Sequence, residues 1–285
     1  MDTIIIDGLS FALPLFIIAI GGIYSEKSGI TNLALEGFQG FGAFTGALAA
    51  VLIANALGTD IQNLFYVALL FAMLGGMAFS VIHAVLSIKF KADQVISGVV
   101  INILALALTT FLTTQINSLV FGTASDKFQL GVSQRFTIEW LADIPVIGAI
   151  FTNVYPFEVI IVVIAVFAWY LLYKTRYGMR LRACGENPHS VDTAGVDVAK
   201  IRFSAVLVSG LLSGLGGMCF AYSISANFSS SIYMGYGFLA IAALIFGNWR
   251  IVPTLAACLL FGFAKSGGAF IAQSMALPSS FTDLF

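Results

Sequence analysis

Long apolar stretches joined by short polar connections run through the whole chain, and this pattern decides its fold class. A membrane-spanning helix needs about 20 mostly apolar residues. Only 9% of the residues are charged, against about 25% in soluble domains, which excludes a soluble domain with one core. The sequence therefore predicts an all-α, polytopic helical bundle, a single transmembrane domain over residues 1–285. Its clearest spans are residues 64–88, 95–114, 157–172 and 203–222.

Four further apolar stretches are less regular than these. Lys265, Pro and Gly residues interrupt some of them, Glu36 lies in another, and the shortest is expected to be half of a broken helix. About eight hydrophobic elements result, and a weak similarity between residues 32–50 and 237–270 is compatible with inverted repeats. The four stretches are residues 11–24, 35–57, 238–246 and 252–272.

The basic residues predict the orientation, because cytoplasmic loops carry an excess of Lys and Arg. Most of them fall in two connections, which places the N-terminus outside and leaves Lys127 and Arg135 in an outer loop, residues 115–155. A short helix is expected there at residues 139–143, in a loop that either covers the bundle or binds an external partner. The residues that set this orientation are Lys89, Lys91, Lys174, Arg176, Arg180, Arg182, Lys200 and Arg202.

The cytoplasmic connection, residues 175–202, contains a second predicted helix. Asn187 suits the N-cap position, Pro188 suits the first helical position, and Gly195 can end the helix. A helix over residues 188–194 would present His189 and Asp192 to solvent or to a partner. It is either a plain connection or a docking element for a soluble protein.

The stretch GITNLALEGFQGFGAF, residues 29–44, places Asn32, Glu36 and Gln39 among apolar residues. A charged side chain at the centre of a bilayer costs roughly 2.5–3.5 kcal/mol on insertion scales. The stretch is therefore not expected to be an ordinary spanning helix. Asn102 is a further polar residue in mid-span, which could either hydrogen-bond to another helix or contact a substrate hydroxyl.

Small residues recur at helical spacing in the span 203–222. This pattern is typical of close helix–helix contacts and would also suit a surface that slides during a conformational change. The residues are Gly210, Ser213, Gly214 and Gly217.

Four blocks of this sequence resemble permease subunits of bacterial ABC importers, in the branch for simple sugars, purine nucleosides and riboflavin. Residues 29–43 fit the pattern G-[IV]-x-N-[IL]-x-x-E-G-x-x-x-x-G-A, and SEKSG before them resembles nucleoside-type members. Residues 185–196 resemble the cytoplasmic loop G-x-N-x-x-A-A-x-x-x-G-I, with departures at or near its small positions. DQVISGVVINILAL, from residue 93, and the block from residue 235 complete the set.

The resemblance implies specific partners and a multi-pass location in the bacterial inner membrane. Cytoplasmic ATPase subunits would bind ATP and Mg²⁺, a second and non-identical permease subunit would complete the pore, and a periplasmic or lipid-anchored protein would deliver substrate. Membrane lipid is also expected as a partner, and nucleic acid is not. No cofactor is expected in this chain, which has no phosphate-loop motif, and its Cys and His residues show no metal-ligand spacing. Members usually continue with one more span after the position of Phe285.

The resemblance also implies roles for two groups of residues. The coupling group would dock on the ATPase, and the second group would form a broken helix at residues 32–40 or line the translocation pathway. The coupling residues are Glu186, Asn187, Pro188, His189, Asp192 and Gly195. The pathway residues are Asn32, Glu36, Gly37, Gln39 and Asn102.

Three functional hypotheses follow in order. The first is the pore-forming subunit of an importer working by alternating access, with nucleosides ahead of riboflavin and simple sugars as substrate. The second is an ion-coupled secondary transporter or channel that uses Glu36 as its ion site. A membrane enzyme comes last, because His83 and His189 are too far apart in the predicted topology to form a catalytic pair.

Overall fold

The computed structural model describes residues 2–131, 135–142, 144 and 148–275. In this part of the chain the protein is almost entirely helical, with one antiparallel pair of three-residue strands. The elements are α1 Asp2–Lys27, α2 Leu35–Leu57, α3 Phe65–Ala84, α4 Gln94–Phe121, β1 Lys127–Gln129, α5 Glu139–Ala142, α6 Pro156–Lys174, α7 Arg176–Glu186, α8 Pro188–Thr193, α9 Val198–Phe220, β2 Asn227–Ser229, α10 Tyr236–Phe246 and α11 Ile251–Ser274.

Seven of the described helices are long and apolar enough to cross a membrane, and α10 is a shorter apolar helix. The expectation of about eight hydrophobic elements in an all-α bundle is thereby confirmed. α1 and α9 are central, because 67% and 72% of the residues in their most apolar stretches are buried. In the corresponding stretch of α11 only 22% of the residues are buried. The outer helices therefore present apolar side chains to the surroundings, as lipid contact requires.

Several boundaries differ from those predicted. α1 begins at Asp2 instead of residue 11, and it contains Pro14 in its interior. The outer short helix ends at Ala142, and Asp143 lies outside the described residues. α7 was missed altogether, since its polar sequence gave no apolar signal, although the Thr175 side chain caps it by accepting a hydrogen bond from the N–H of Gly178.

Glycines allow α9 to pack directly against the backbones of α2 and α3. A β-carbon at Gly42 of α2 would lie 2.8 Å from the carbonyl oxygen of Ala72 in α3, and one at Gly76 would lie 2.9 Å from the Cα of Gly214 in α9. Gly210 adjoins Ser80 of α3, and Gly217 adjoins the backbone of Gln39 in α2. The predicted small-residue stripe thus lies where three helices meet.

Ser213, the remaining member of that stripe, is fully buried. Its hydroxyl has no hydrogen-bond partner within the described residues.

Candidate functional site

A non-helical segment, residues 28–34, separates α1 from α2, and polar side chains from other helices satisfy its backbone. Gln94 Oε1 accepts a hydrogen bond from the N–H of Thr31 at 2.7 Å, and the carbonyl oxygen of Thr31 lies 3.3 Å from His83 Nε2. Glu26 Oε1 accepts from the N–H of Asn32 at 3.1 Å. Irregular backbone at membrane depth persists only where such partners exist, so these side chains hold the interruption in place.

Asn32 and Asn102 connect this segment to the rest of the bundle. The Asn32 side chain accepts from the N–H of Ala34 at 3.0 Å and donates to Ser209 Oγ of α9 at 2.9 Å. Asn102 of α4 donates to the carbonyl oxygen of Leu33 at 2.8 Å, while its own oxygen accepts from the N–H of Gly37, also at 2.8 Å. One amide therefore joins α4 to both the interruption and the start of α2.

α2 begins inside the bundle. The side chain of Leu35, its first residue, would lie 3.0 Å from a β-carbon at Gly22 of α1. Gly22 lies five residues before the end of α1, which is about 8 Å along the axis at 1.5 Å per residue. The first turn of α2 therefore packs against the side of α1 and not beyond its end.

A second non-helical segment, residues 226–235, precedes α10 and packs against the same half of α2. Gln39 Nε2 donates to the carbonyl oxygen of Tyr233 at 2.9 Å, and the Tyr233 hydroxyl lies 3.2 Å from Thr109 Oγ1 of α4. The Tyr233 ring covers Gly40, which has no side chain to prevent the contact. Gln39 Oε1 is buried without a partner in the described structure.

The carboxylate of Glu36 lies at the N-terminus of α10. Its Oε2 accepts a hydrogen bond from the N–H of Gly235 at 2.9 Å, and the N–H groups of Gly237 and Phe238 also face it. The first N–H groups of a helix have no partner within the helix and carry the positive end of its dipole, so a carboxylate there is stabilised. Gly237 lies against the backbone of Glu36, which allows this close approach.

The helix interruption was predicted at residues 32–40, but the structure places it at residues 28–34. Gly29 has a φ of +86°, and the chain re-enters the α-helical conformation at Leu35. Glu36, Gly37 and Gln39 are therefore helical, and of the predicted pathway residues on this stretch only Asn32 lies in the interruption itself.

The polar residues of the site that sequence reasoning missed are His83 and Gln94. Each of them reaches the site only through contacts distant in sequence. The one sequence signal available for His83 was the position of a polar residue inside an apolar stretch. The structure shows that His83 is fully buried in α3.

Part of the site is not covered by this chain. Met234 is 55% exposed and Phe238 is 48% exposed, and Glu36 and Asn102 are only half-buried. These four residues border a face of the bundle that is open in the single chain.

Lys265 of α11 lies close to this region. Its Nζ donates a hydrogen bond to the Tyr236 hydroxyl at 2.6 Å, and it lies 4.8 Å and 4.6 Å from the ring centroids of Phe11 and Tyr236. Two aromatic faces and a hydroxyl thus stabilise a cation within a spanning helix.

The cytoplasmic side presents α8 as a short exposed helix. Asn187 accepts from the N–H of Ser190 at 3.1 Å, as an N-cap does, and Pro188 occupies the first helical position. Val191 is buried and fixes the helix to the protein. Gly195 ends the turn with a φ of +78°. The remaining coupling candidates, Glu186, His189 and Asp192, are all exposed.

Arg202 joins this cytoplasmic region to the helix interruption. Its Nε donates to the carbonyl oxygen of Ser28 at 3.0 Å, and its Nη2 donates to that of Cys184 in α7 at 3.3 Å. Gly185 packs against the backbone of Lys27 and Gly29. α7, α9 and the end of α1 are therefore fixed to one another directly beside α8.

Comparisons with known proteins match nearly the whole chain. Residues 4–285 match the family model described as "Branched-chain amino acid transport system / permease component". None of the solved structures compared matches the chain.

Three curated proteins illustrate the relationship. The guanosine ABC transporter permease protein NupQ of Bacillus subtilis is 42% identical over 90% of this chain and 79% of its own length. The nucleoside ABC transporter permease protein NupC of Lactococcus lactis is 38% identical over 100% of this chain and 88% of its own. The guanosine ABC transporter permease protein NupP of Bacillus subtilis is 26% identical over 95% and 75%.

Proposed function

The chain belongs to the family of permease components of branched-chain amino acid transport systems, and from this premise we propose that it is the pore-forming subunit of an ATP-driven nucleoside importer in the bacterial cytoplasmic membrane. As a permease component it is a multi-pass membrane transport protein and not an enzyme. Nucleosides are proposed as substrate because the relatives at 42% and 38% identity carry guanosine and nucleoside in their names. That similarity over at least 90% of the chain carries the proposal.

α8 is the proposed contact with a cytoplasmic ATPase subunit. It is exposed, capped at Asn187 and anchored by the buried Val191. A force applied to α8 reaches the end of α1 through α7 and the Arg202 guanidinium, which bonds the carbonyl oxygens of Ser28 and Cys184. In this mechanism ATP hydrolysis on the partner tilts α1 and α2 and alternates access to the pore.

A second permease subunit is proposed to cover the open face bordered by Glu36, Asn102, Met234 and Phe238. The exposed apolar side chains among them would be buried by a partner of similar architecture. Bacillus subtilis has two different guanosine permease proteins, NupQ and NupP, both similar to this chain. The proposed pore is therefore formed by two non-identical subunits, with a substrate-binding protein on the outer side.

Ion-coupled transport through Glu36 is the competing hypothesis. Among the described residues, its support is that the Glu36 carboxylate is half-buried within the bundle. The hydrogen bond from Gly235 and the N-terminus of α10 give Glu36 a structural role, which favours the importer.

The test is reconstitution in lipid of the chain with the ATPase, the second permease and the binding protein encoded beside it. Guanosine uptake and ATP hydrolysis are measured for the intact chain and for a variant with residues 187–195 replaced by a Gly/Ser linker. A matched control replaces the exposed outer residues 122–124. We expect ATP-dependent guanosine uptake that the cytoplasmic replacement abolishes and the outer replacement preserves. Uptake that needs no ATPase would contradict the proposal.

A further inference from the structure

A cavity of about 210 Å³, lined by both polar and apolar side chains, lies outside the site described above, between the outer halves of α1 and α11 and the short π-helical segment Ala221–Ser225. In the orientation predicted from the basic residues, Asp7 of α1 and Gln273 of α11 border it near the outer surface. Lys265 lies deeper and forms part of its floor, and it donates a hydrogen bond to the Tyr236 hydroxyl. We call this space the outer vestibule.

The lining of the outer vestibule combines groups of opposite character. Lys265 is a hydrogen-bond donor and Asp7 an acceptor, so the two formal charges balance. The Ser223 hydroxyl is buried and has no partner in the described structure, and Ser266 supplies a further hydroxyl. Phe270 adds an exposed aromatic ring. An apolar wall with a few polar groups of this kind suits a neutral molecule that carries donors, acceptors and a flat ring.

The vestibule is connected to the site at α2 by adjacent residues of one helix. Lys265 bonds the hydroxyl of Tyr236, the first residue of α10, and Gly235 directly before it donates to Glu36. A ligand that displaces the Tyr236 hydroxyl from Lys265 would therefore act on the N-terminus of α10. Lys265 in the floor of the vestibule and the carboxylate of Glu36 therefore both form hydrogen bonds with residues at the N-terminus of α10.

We propose that the outer vestibule is a nucleoside contact site, in which Lys265 and Asp7 bind the polar edge of the base or the ribose hydroxyls and the Phe270 ring packs against the base. This inference rests on the proposed function for the identity of the substrate. It adds an outward-facing binding site and gives Lys265 the role of exchanging its bond to Tyr236 for a bond to substrate.

The experiment measures protection of an introduced cysteine in the reconstituted complex. Ser266→Cys places a thiol in the vestibule, and Ala124→Cys places one on an exposed outer segment away from it. The native residues Cys184, Cys219 and Cys258 are all 0% exposed, so they give little background. A membrane-impermeant methanethiosulfonate is added from outside, with and without guanosine, while guanosine uptake by the wild-type complex is measured in parallel.

We expect guanosine to slow modification of Ser266→Cys by a factor of 1 + [L]/Kd, or about tenfold at ten times Kd, and to leave Ala124→Cys unaffected. Equal modification of Ser266→Cys with and without guanosine, in a preparation whose wild type imports guanosine, would overturn the vestibule site alone. A wild-type complex that imports no guanosine would overturn the proposed function and, with it, the substrate named here.

A second measurement covers the case in which Ser266→Cys disturbs the fold. Lys265→Arg keeps the donor, Lys265→Met removes it, and Lys127→Met removes a cation from the outer strand β1 as a control. We expect Lys265→Met to reduce guanosine uptake at least tenfold relative to Lys265→Arg, with ATP hydrolysis retained. Uptake by Lys265→Met equal to that of Lys127→Met would overturn the proposal.

Discussion

The carboxylate of Glu36 accepts a hydrogen bond at 2.9 Å from the backbone N–H of Gly235, a residue 199 positions later in the chain. This bond joins the first turn of α2 to the N-terminus of the short helix α10. It gives a charged residue in an apolar stretch a defined partner, and it makes the two interruptions of the bundle one structural unit.

Glu36→Ala is expected to destabilise this unit more than Glu36→Gln. Loss of a hydrogen bond to a charged group costs about 1.5–3 kcal/mol, whereas the Gln carbonyl oxygen can still accept from Gly235. The measurement is the apparent Tm of the purified chain in detergent, together with guanosine uptake. Equal loss of uptake in both variants, combined with uptake driven by a proton gradient, would instead support an ion site at Glu36.

Arg202→Gln is expected to uncouple ATP hydrolysis from transport. The substitution removes the guanidinium that joins the carbonyl oxygens of Ser28 and Cys184 but leaves α8 exposed. ATP hydrolysis by the complex should persist while uptake falls at least about tenfold, equivalent to about 1.4 kcal/mol. Lys200→Gln is the control, because Lys200 is exposed and pairs only with Asp197 among the described residues. The prediction fails if both variants transport equally well.

Gly214→Ala is expected to destabilise the meeting point of α2, α3 and α9. The new β-carbon would lie 3.1 Å from the carbonyl carbon of Ala72, a backbone atom that cannot move aside, and such overpacking costs about 1–3 kcal/mol. Gly267→Ala is the matched control on α11, since no atom lies within 4 Å of its β-carbon position. The control should gain about 0.5–1 kcal/mol, the usual preference for Ala over Gly within a helix. Thermal unfolding in detergent checks the sign of both changes.

The native cysteines are expected to resist thiol reagents until the protein unfolds. All three are 0% exposed, and burial raises the pKa of the Cys184 thiol. A thiol with a raised pKa keeps its proton to higher pH, and the thiolate is the reactive form. Maleimide should therefore leave the folded chain unmodified at pH 7.5 and label it after addition of sodium dodecyl sulfate. Rapid labelling of the folded chain would show that α7 opens around Cys184.

The bundle could be predicted from the sequence because apolar length and charge placement are local properties. The spans, the short helix after Asn187 and the pattern of small residues that includes Gly210 and Gly214 all depend on residues close together in sequence. The boundary at Leu35 could not be predicted, because Gln94, His83 and Asn102 hold the preceding segment from other helices. α7 was missed for a different reason: it is amphipathic and polar, and its burial depends on the neighbouring spans.

The partners of Glu36 and Lys265 were also beyond prediction. Glu36 has its partner at the N-terminus of α10, which is remote in sequence. Lys265 has its partner in Tyr236 of the preceding helix, 29 positions earlier. Contacts between distant helices depend on how the helices are arranged, which no single stretch of sequence contains.

The short length of α10 has a consequence for biogenesis. Its 11 residues extend about 16 Å, roughly half the hydrocarbon thickness, so α10 is too short to be inserted as an independent spanning segment. It must enter the bilayer together with α11, as a hairpin that packs onto helices already in place. Glu36 and Gln39 are synthesised long before residues 226–235. The helix on which this hairpin packs is therefore made before the hairpin itself. Cotranslational assembly is thereby ordered from the N-terminal helices to the C-terminal ones.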